Sequence, residues 1–444
     1  MPYKTYTASK LATWAISLSY EDLSEEVLDR VEDCILDSIG CAIAGLNGSG
    51  SSYSRLVASK QYKNGKCPVW FTPLSLNSTG AAFSNAAAVS ILDIDDGHRL
   101  AMGHPGAAVV PTALAIADEV GAGTKELYEA IVAGYEISVR LGEAEMRKSY
   151  HTGNWTVFGA AITAAKLKNL TLDQTIHALA VAAYHGPRLT DLTQSQEMGS
   201  NVKESIPWSV VAGISACELA EVGFTGSRDA LDLDNRFDAK IATQKLGGEK
   251  DILGVYFKQF STCRWTHSSI EALCMIVSEH NLSGPDIERI EVETFQQAAA
   301  LNNSSDPHTL EGAQYSLPYS LAVSVTRGVE ALSPMDKSCL GDKETIDLAS
   351  RITISHSVEM DGYLPLRTPS KVKVITADGV YEKTVVEAWG DAGGTTKRSH
   401  LRDKFRLLAK KMVTNEQIEH IIEAVDNLRG GESTPLMNVL SKPL

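Results

Sequence analysis

No run of apolar residues in this 444-residue chain reaches the ~18 that a membrane-crossing helix needs, so no membrane span is expected. The opening MPYKTYTASKLATWAISLSYEDL has too short an apolar stretch, too broken by serine, for a secretory signal; a cytoplasmic protein is expected. Cysteine is scarce and scattered. The seven residues Cys34, Cys41, Cys67, Cys217, Cys263, Cys274 and Cys339 include no CxxC pair, which argues against a disulfide framework and a zinc ribbon. Positive charge is in deficit, with 41 Lys+Arg against 55 Asp+Glu and a formal net charge of −14, so nucleic acid is not expected as a partner. No internal repeat, coiled coil or low-complexity tract occurs. An anionic ligand remains compatible with this balance only where cations are gathered locally.

What is present is mostly helical patterning. After Ser24, a plausible N-cap, Leu28, Val31, Ile35 and Ile39 keep helical spacing, with Gly40 and Gly45 at the exit. PTALAIADEVGAGTKELYEAIVAGYEISVRLGEA reads as two Ala-rich helices, the second capped by Thr124 and carrying Gly134 for close helix–helix approach. After about Lys258 the pattern changes. IERIEVETF, RITISHSVEM and SKVKVITADGVYEKTVVEA read as strands, with Asp378-Gly379 a hairpin signal. From Lys404 helical spacing returns: Thr414 and Gln417 form a capping box, and Ile418, Ile421, Ile422, Val425 and Leu428 make one stripe closed by Gly430. The expected architecture is mainly α: a discontinuous all-helical domain (1–257 and 404–444) with an inserted smaller α+β lid domain (258–403). A cleft between the two is the natural ligand site.

The densest chemistry lies in ILDIDDGHRLAMGHPGAAVVP, which packs Asp93, Asp95, Asp96, His98 and His104 ahead of a helix. Such a set can hold a divalent metal, or bind and protonate a substrate with the helix N-terminus near Gly106 attracting an anion. RKSYHTGNWTVFGAA offers Arg147, Lys148, Tyr150 and His151; NVKESIPWSVVAG places Lys203 just ahead of an apolar helix. YFKQFSTCRWTHSSIEA brings Lys258, Cys263, Arg264 and His267 to the junction of the two domains, and AQYSLPYSLA sets Tyr315 and Tyr319 four apart. Taken singly, each of these sets also fits solvated or packed side chains.

In order and wording, these blocks together with YEDLSEEVLDRVEDCILDSIGCAIAG and GDAGGTTKRSHLRDKF resemble the MmgE/PrpD family over nearly the whole chain. The resemblance implies a helical domain built from both chain ends, a smaller α+β lid, a homodimer, and chemistry on di- and tricarboxylates with no metal and no organic cofactor. Carried over position by position, it implies an active site at Asp93, His104, His151, Lys203, Lys258, Cys263 and Tyr319. The implied ligand is a small anionic polycarboxylate. Lysines suit such a ligand as point charges, and histidines move protons near neutral pH.

Two departures stand out: Gly97 replaces the Thr of decarboxylase-like members, and His-Thr-Gly replaces the usual His-Pro-Thr at His151. The wording is most similar to members that epimerise iminodisuccinate. The expectation is therefore a cofactor-independent epimerase inverting an α-carbon by two-base proton transfer. Lys203, His151, Tyr319, Asp93 and His104 are the catalytic candidates; Lys258, Arg264, Cys263 and His98 are expected to bind substrate. The alternatives are a dehydratase or decarboxylase of a citrate-like tricarboxylate, and a metal-dependent or ligand-binding protein using the Asp/His cluster.

Overall fold

The computed structural model describes residues 5–146, 151–188, 200–233, 235–248, 250–392 and 396–444. Arg147, Lys148 and Tyr150, singled out above, lie outside the described residues.

The chain is mainly α, as its spacing predicts. Ser24 caps the helix Glu25–Gly45 through Val27 N–H, and the Thr414–Gln417 capping box opens Asn415–Asp426. Small residues let helices pack closely: a Cβ on Gly134 would meet Val109 at 2.8 Å, and one on Gly40 would meet the Phe405 ring at 2.9 Å. The second contact joins the helix Arg398–Ala409, in the returning C-terminal part of the chain, to Glu25–Gly45. One continuous apolar core accordingly runs through residues from Ala8 to Phe257 and resumes from Leu401 to Leu440.

A separate core holds residues between Phe260 and Val385. Its four-stranded sheet has the order Ile352–His356, Ile287–Thr294, Ser370–Thr376, Gly379–Val385, the first pair parallel and the others antiparallel. Thr376 pairs with Gly379, so the hairpin loop is Ala377-Asp378.

Three local expectations shift. Thr124 is the first residue of the helix Thr124–Ala144, after Gly123, rather than its cap. Gly431, at φ 93°, makes the left-handed exit assigned to Gly430. The helical part also contains two antiparallel ladders, Cys67–Pro68 with Ser75–Leu76 and Gly97–His98 with Val255–Tyr256. The second ladder ties the Asp/His loop to the segment that leads into Lys258, and so builds the site.

Candidate active site

The loop from Ile91 to Pro105 joins the helices Ser78–Ser90 and Gly106–Val120. Asp93 sits in it at φ 53°, a left-handed conformation uncommon outside glycine. Lys203, Glu204 and Ser205 are left-handed in succession, at φ 41°, 53° and 59°, just ahead of the helix Ile206–Glu221. Strain of this kind persists only where surrounding contacts over-determine it.

The contacts that do so converge on Asp93. Its Oδ2 lies 2.9 Å from Lys258 Nζ; its Oδ1 lies 3.4 Å from Lys203 Nζ and 3.4 Å from His104 Nε2. All four residues are buried, Lys258 completely. Burial pushes the Asp93 carboxyl up, but Lys203, Lys258 and His104 outweigh it and hold the group below the usual carboxylate range. For His104, burial opposes the charge, while Asp95, with Oδ2 at 3.3 Å, and Asp93 favour it; the imidazole is raised to about 9. Its Nδ1 donates to Asp96 O at 2.8 Å.

Two further groups brace this loop. Lys404, from the helix Arg398–Ala409, donates to Asp37 and, at 2.7 Å, to Ile94 O. Asp96 takes Gly106 N–H at 2.9 Å and the Tyr135 hydroxyl at 2.6 Å, with burial raising its carboxyl to about 7. The helix N-terminus expected to attract a substrate anion is therefore capped by the chain's own Asp96.

Gln314 and Tyr315 belong to the site; the sequence offered Tyr315 only as the pair of Tyr319 and did not single out Gln314. Gln314 Oε1 accepts from Lys203 Nζ at 3.2 Å, and its Nε2 donates to Ile91 O at 3.2 Å. Lys203 Nζ stands 5.2 Å from the centroid of the Tyr315 ring. A cleft of about 800 Å³ separates Asn47, Ser49 and Tyr53 from Leu310, Pro334 and Met335, and Gln314 lines it. Gln314 thus stands between this cleft and Lys203.

His151 lies immediately before the helix Thr152–Leu167, 1% exposed, with neither ring nitrogen hydrogen-bonded among the described residues. Its neighbour Thr152 donates its hydroxyl and, at 3.2 Å, its N–H to Glu204, beside Lys203. Cys263 is buried with Trp265, Phe295 and Tyr315, and its N–H donates to Gln314 O at 2.8 Å. His98 is buried and pushed down to about 4 by desolvation, so it is a neutral imidazole.

Two expected site residues are not brought to the cluster as imagined. The Tyr319 hydroxyl donates to Cys339 O inside the smaller domain's core; Tyr315 is the tyrosine beside Lys203. Tyr319 follows Ser316, which caps the helix Leu317–Thr326, whereas Tyr315 precedes that cap, so the two do not share a helical face. Arg264 is occupied by the protein: it donates to Trp389 O at 2.8 Å and Ala388 O at 3.1 Å and pairs with Asp391 at 2.9 Å. These bonds staple the junction, while its Nε is buried without a hydrogen-bond partner among the described residues.

Among the described residues, Asp93, Asp95 and His104 form one group close enough to share a metal ion. Asp93 already faces two lysine Nζ atoms, at 2.9 and 3.4 Å, so the carboxylate a divalent cation would need is taken by the chain's own lysines.

This geometry meets its relatives at the level of family. Residues 9–246 match the MmgE/PrpD N-terminal domain and residues 260–429 the MmgE/PrpD C-terminal domain. The chain belongs to the MmgE/PrpD family. It is similar to cis-aconitate decarboxylase of Aspergillus terreus, 24% identical with 99% of this chain and 97% of the relative covered. It is also similar to the enzymes of that name from Homo sapiens, 26% identical over 100% and 95%, and Mus musculus, 26% identical over 96% and 91%. These relatives are enzymes, as the sequence led us to expect of this chain; they are decarboxylases, and the isomerase expectation gains no support from them. No helix among the described residues is long and apolar enough to cross a membrane.

Proposed function

We propose that the chain is a lyase acting on a small tricarboxylate, removing CO2 from a cis-aconitate-like acid; dehydration of a citrate-like hydroxy acid is the neighbouring form. One observation carries this reading. Two buried lysines and a protonated histidine surround a single carboxylate, Asp93. A site that concentrates cations in a dry interior selects carboxylates, and the relatives' printed activity supplies a carboxylate chemistry to match.

Decarboxylation breaks one C–C bond. CO2 leaves, its electron pair moves into the unsaturated framework, and a proton must reach carbon. Lys258 binds a substrate carboxylate. Lys203, held by longer contacts to Asp93 and Gln314, turns to stabilise the charge that develops. His104 is tied to Asp96 and the aspartates, so it supplies fixed charge; His151, with both nitrogens unpartnered among the described residues, delivers the proton. The test is turnover on a panel of cis-aconitate, citrate, 2-methylcitrate and iminodisuccinate. CO2 release from a tricarboxylate supports the reading, and its absence throughout removes it.

A second reading, epimerisation of an amino-polycarboxylate, is favoured by one feature. Lys203 and Lys258 reach different oxygens of Asp93, an arrangement that also suits two bases flanking one carbon. Exchange of the α-proton in D2O without CO2 release marks this outcome. A homodimer is proposed from the family resemblance, and light scattering at twice the 47.8 kDa chain mass is the expected result.

A further inference from the structure

Gly97 lies opposite Tyr256 in the short ladder, and a Cβ built on Gly97 would run into the Cζ and hydroxyl oxygen of that ring. The two residues form one steric unit, because any side chain at 97 would displace the phenol. The ring is fixed from elsewhere. The Arg99 and Arg264 guanidinium carbons each lie 4.9 Å from its centroid, and both arginines share Asp391 Oδ1, at 2.6 and 2.9 Å. Only 2% of Tyr256 is exposed, and its ring is held by its packing on Gly97 and between the two arginines. Burial is the main force pushing its pKa well up, with Arg99 and Arg264 acting the other way, so the group stays protonated and can donate.

Beside it is a cavity of about 20 Å³, also lined by His98, Arg99, Met102 and Trp265. That is room for roughly one oxygen atom's worth of ligand or water. His98 Nδ1 and Thr368 Oγ1, both on this cavity, are buried without a hydrogen-bond partner among the described residues. Buried polar groups normally find partners, and two orphans on one small cavity mark a place where an outside oxygen is expected. Arg99 lines this place and Arg264 packs on the Tyr256 ring, positive charge that favours a carboxylate oxygen over an ammonium.

We propose that Tyr256 is a specificity-determining residue whose hydroxyl donates to a carboxylate oxygen of the substrate, in the space that glycine at position 97 leaves for the ring. This rests on reading the site as one for polycarboxylates, and it names the acceptor the substrate must present.

Tyr256→Phe keeps the ring, its packing on Gly97 and its contacts with both arginines, and removes only the donor. The probe is tricarballylate, a saturated triacid that cannot react, titrated calorimetrically alongside kinetics on cis-aconitate. The expected result is a Kd at least ~10-fold higher and a kcat/KM lower by a similar factor through KM, with the thermal midpoint unchanged. Gly97→Ala, which pushes the ring away while leaving its hydroxyl in the chain, should weaken binding at least as much. Equal affinity of Tyr256→Phe and wild type overturns the inference, the hydroxyl then serving at most an internal water. A wild-type chain that binds the triacid in this Tyr256-dependent way but releases no CO2 keeps the inference and removes the decarboxylase reading. A wild type that releases CO2, matched by Tyr256→Phe, removes the inference alone; one that binds no triacid removes both.

Discussion

Lys258 Nζ lies 2.9 Å from Asp93 Oδ2, and the lysine is entirely shielded from solvent. The residues meet across a domain junction, Asp93 in a loop of the helical domain and Lys258 at the point where the chain leaves it. The two-residue ladder between Gly97–His98 and Val255–Tyr256 sets their spacing. Because Asp93 Oδ1 also faces Lys203, the same carboxylate keeps two buried cations from repelling each other.

Removing that carboxylate's charge should therefore cost stability before it affects chemistry. Asp93→Asn leaves two ammonium groups and an imidazolium without their shared counter-charge. Breaking a buried pair in this way typically costs ~3–5 kcal/mol. Urea unfolding at neutral pH should show a loss of that order, and a midpoint equal to wild type would mean the lysines are satisfied by other groups.

The two lysines should separate kinetically. Lys203→Ala is expected to lower kcat by at least ~100-fold in a folded protein, because its charge is used in the chemical step. Lys258→Ala should act chiefly on KM, since binding energy shared by substrate and transition state is what it supplies. Steady-state kinetics on the turned-over acid decide this. Near-normal kcat in Lys203→Ala would pass the central role to His151.

Tyr319→Phe should leave kcat and KM as they are and lower stability by about 1 kcal/mol, the usual worth of one buried hydrogen bond, here the one to Cys339 O. A large kinetic defect would contradict its assignment to the smaller domain's core.

That assignment shows where sequence reasoning ran out. Helical spacing, the Ser24 cap, the Thr414–Gln417 capping box and the hairpin around Asp378 were legible because each is a local rule within one element. The Asp93–His104 loop was legible from the density of its chemistry. Tyr319 was expected in the site only from the resemblance, whereas Tyr315, one residue before the cap of its helix, is the tyrosine beside Lys203. Gln314, the use of Arg264 as a staple and the Gly97–Tyr256 fit depend on partners far apart in sequence, which no periodicity encodes. The Gly106 helix N-terminus went to Asp96 because an internal carboxylate ten residues upstream reaches it first.

pH should act through His104. Its folded pKa, about 9, lies above the ordinary histidine value of 6.5, so its contribution to stability is full below 6.5 and is lost as pH rises through 9. Asp96, raised to about 7, adds a loss of the same sign at lower pH, between the ordinary 3.8 and 7. Thermal midpoints should thus fall between pH 7 and pH 10, and His104→Asn should flatten that limb. A midpoint rising over this range in the wild type would contradict a charged His104.

The most direct test of the central claim is CO2 evolution from cis-aconitate by the purified wild-type chain, with Lys203→Ala as the control. The account predicts stoichiometric CO2 and a five-carbon dicarboxylate from the wild type, falling at least ~100-fold in the variant. No CO2 from cis-aconitate or any other tricarboxylate of the panel, in a protein that exchanges the α-proton of iminodisuccinate with D2O, would contradict it.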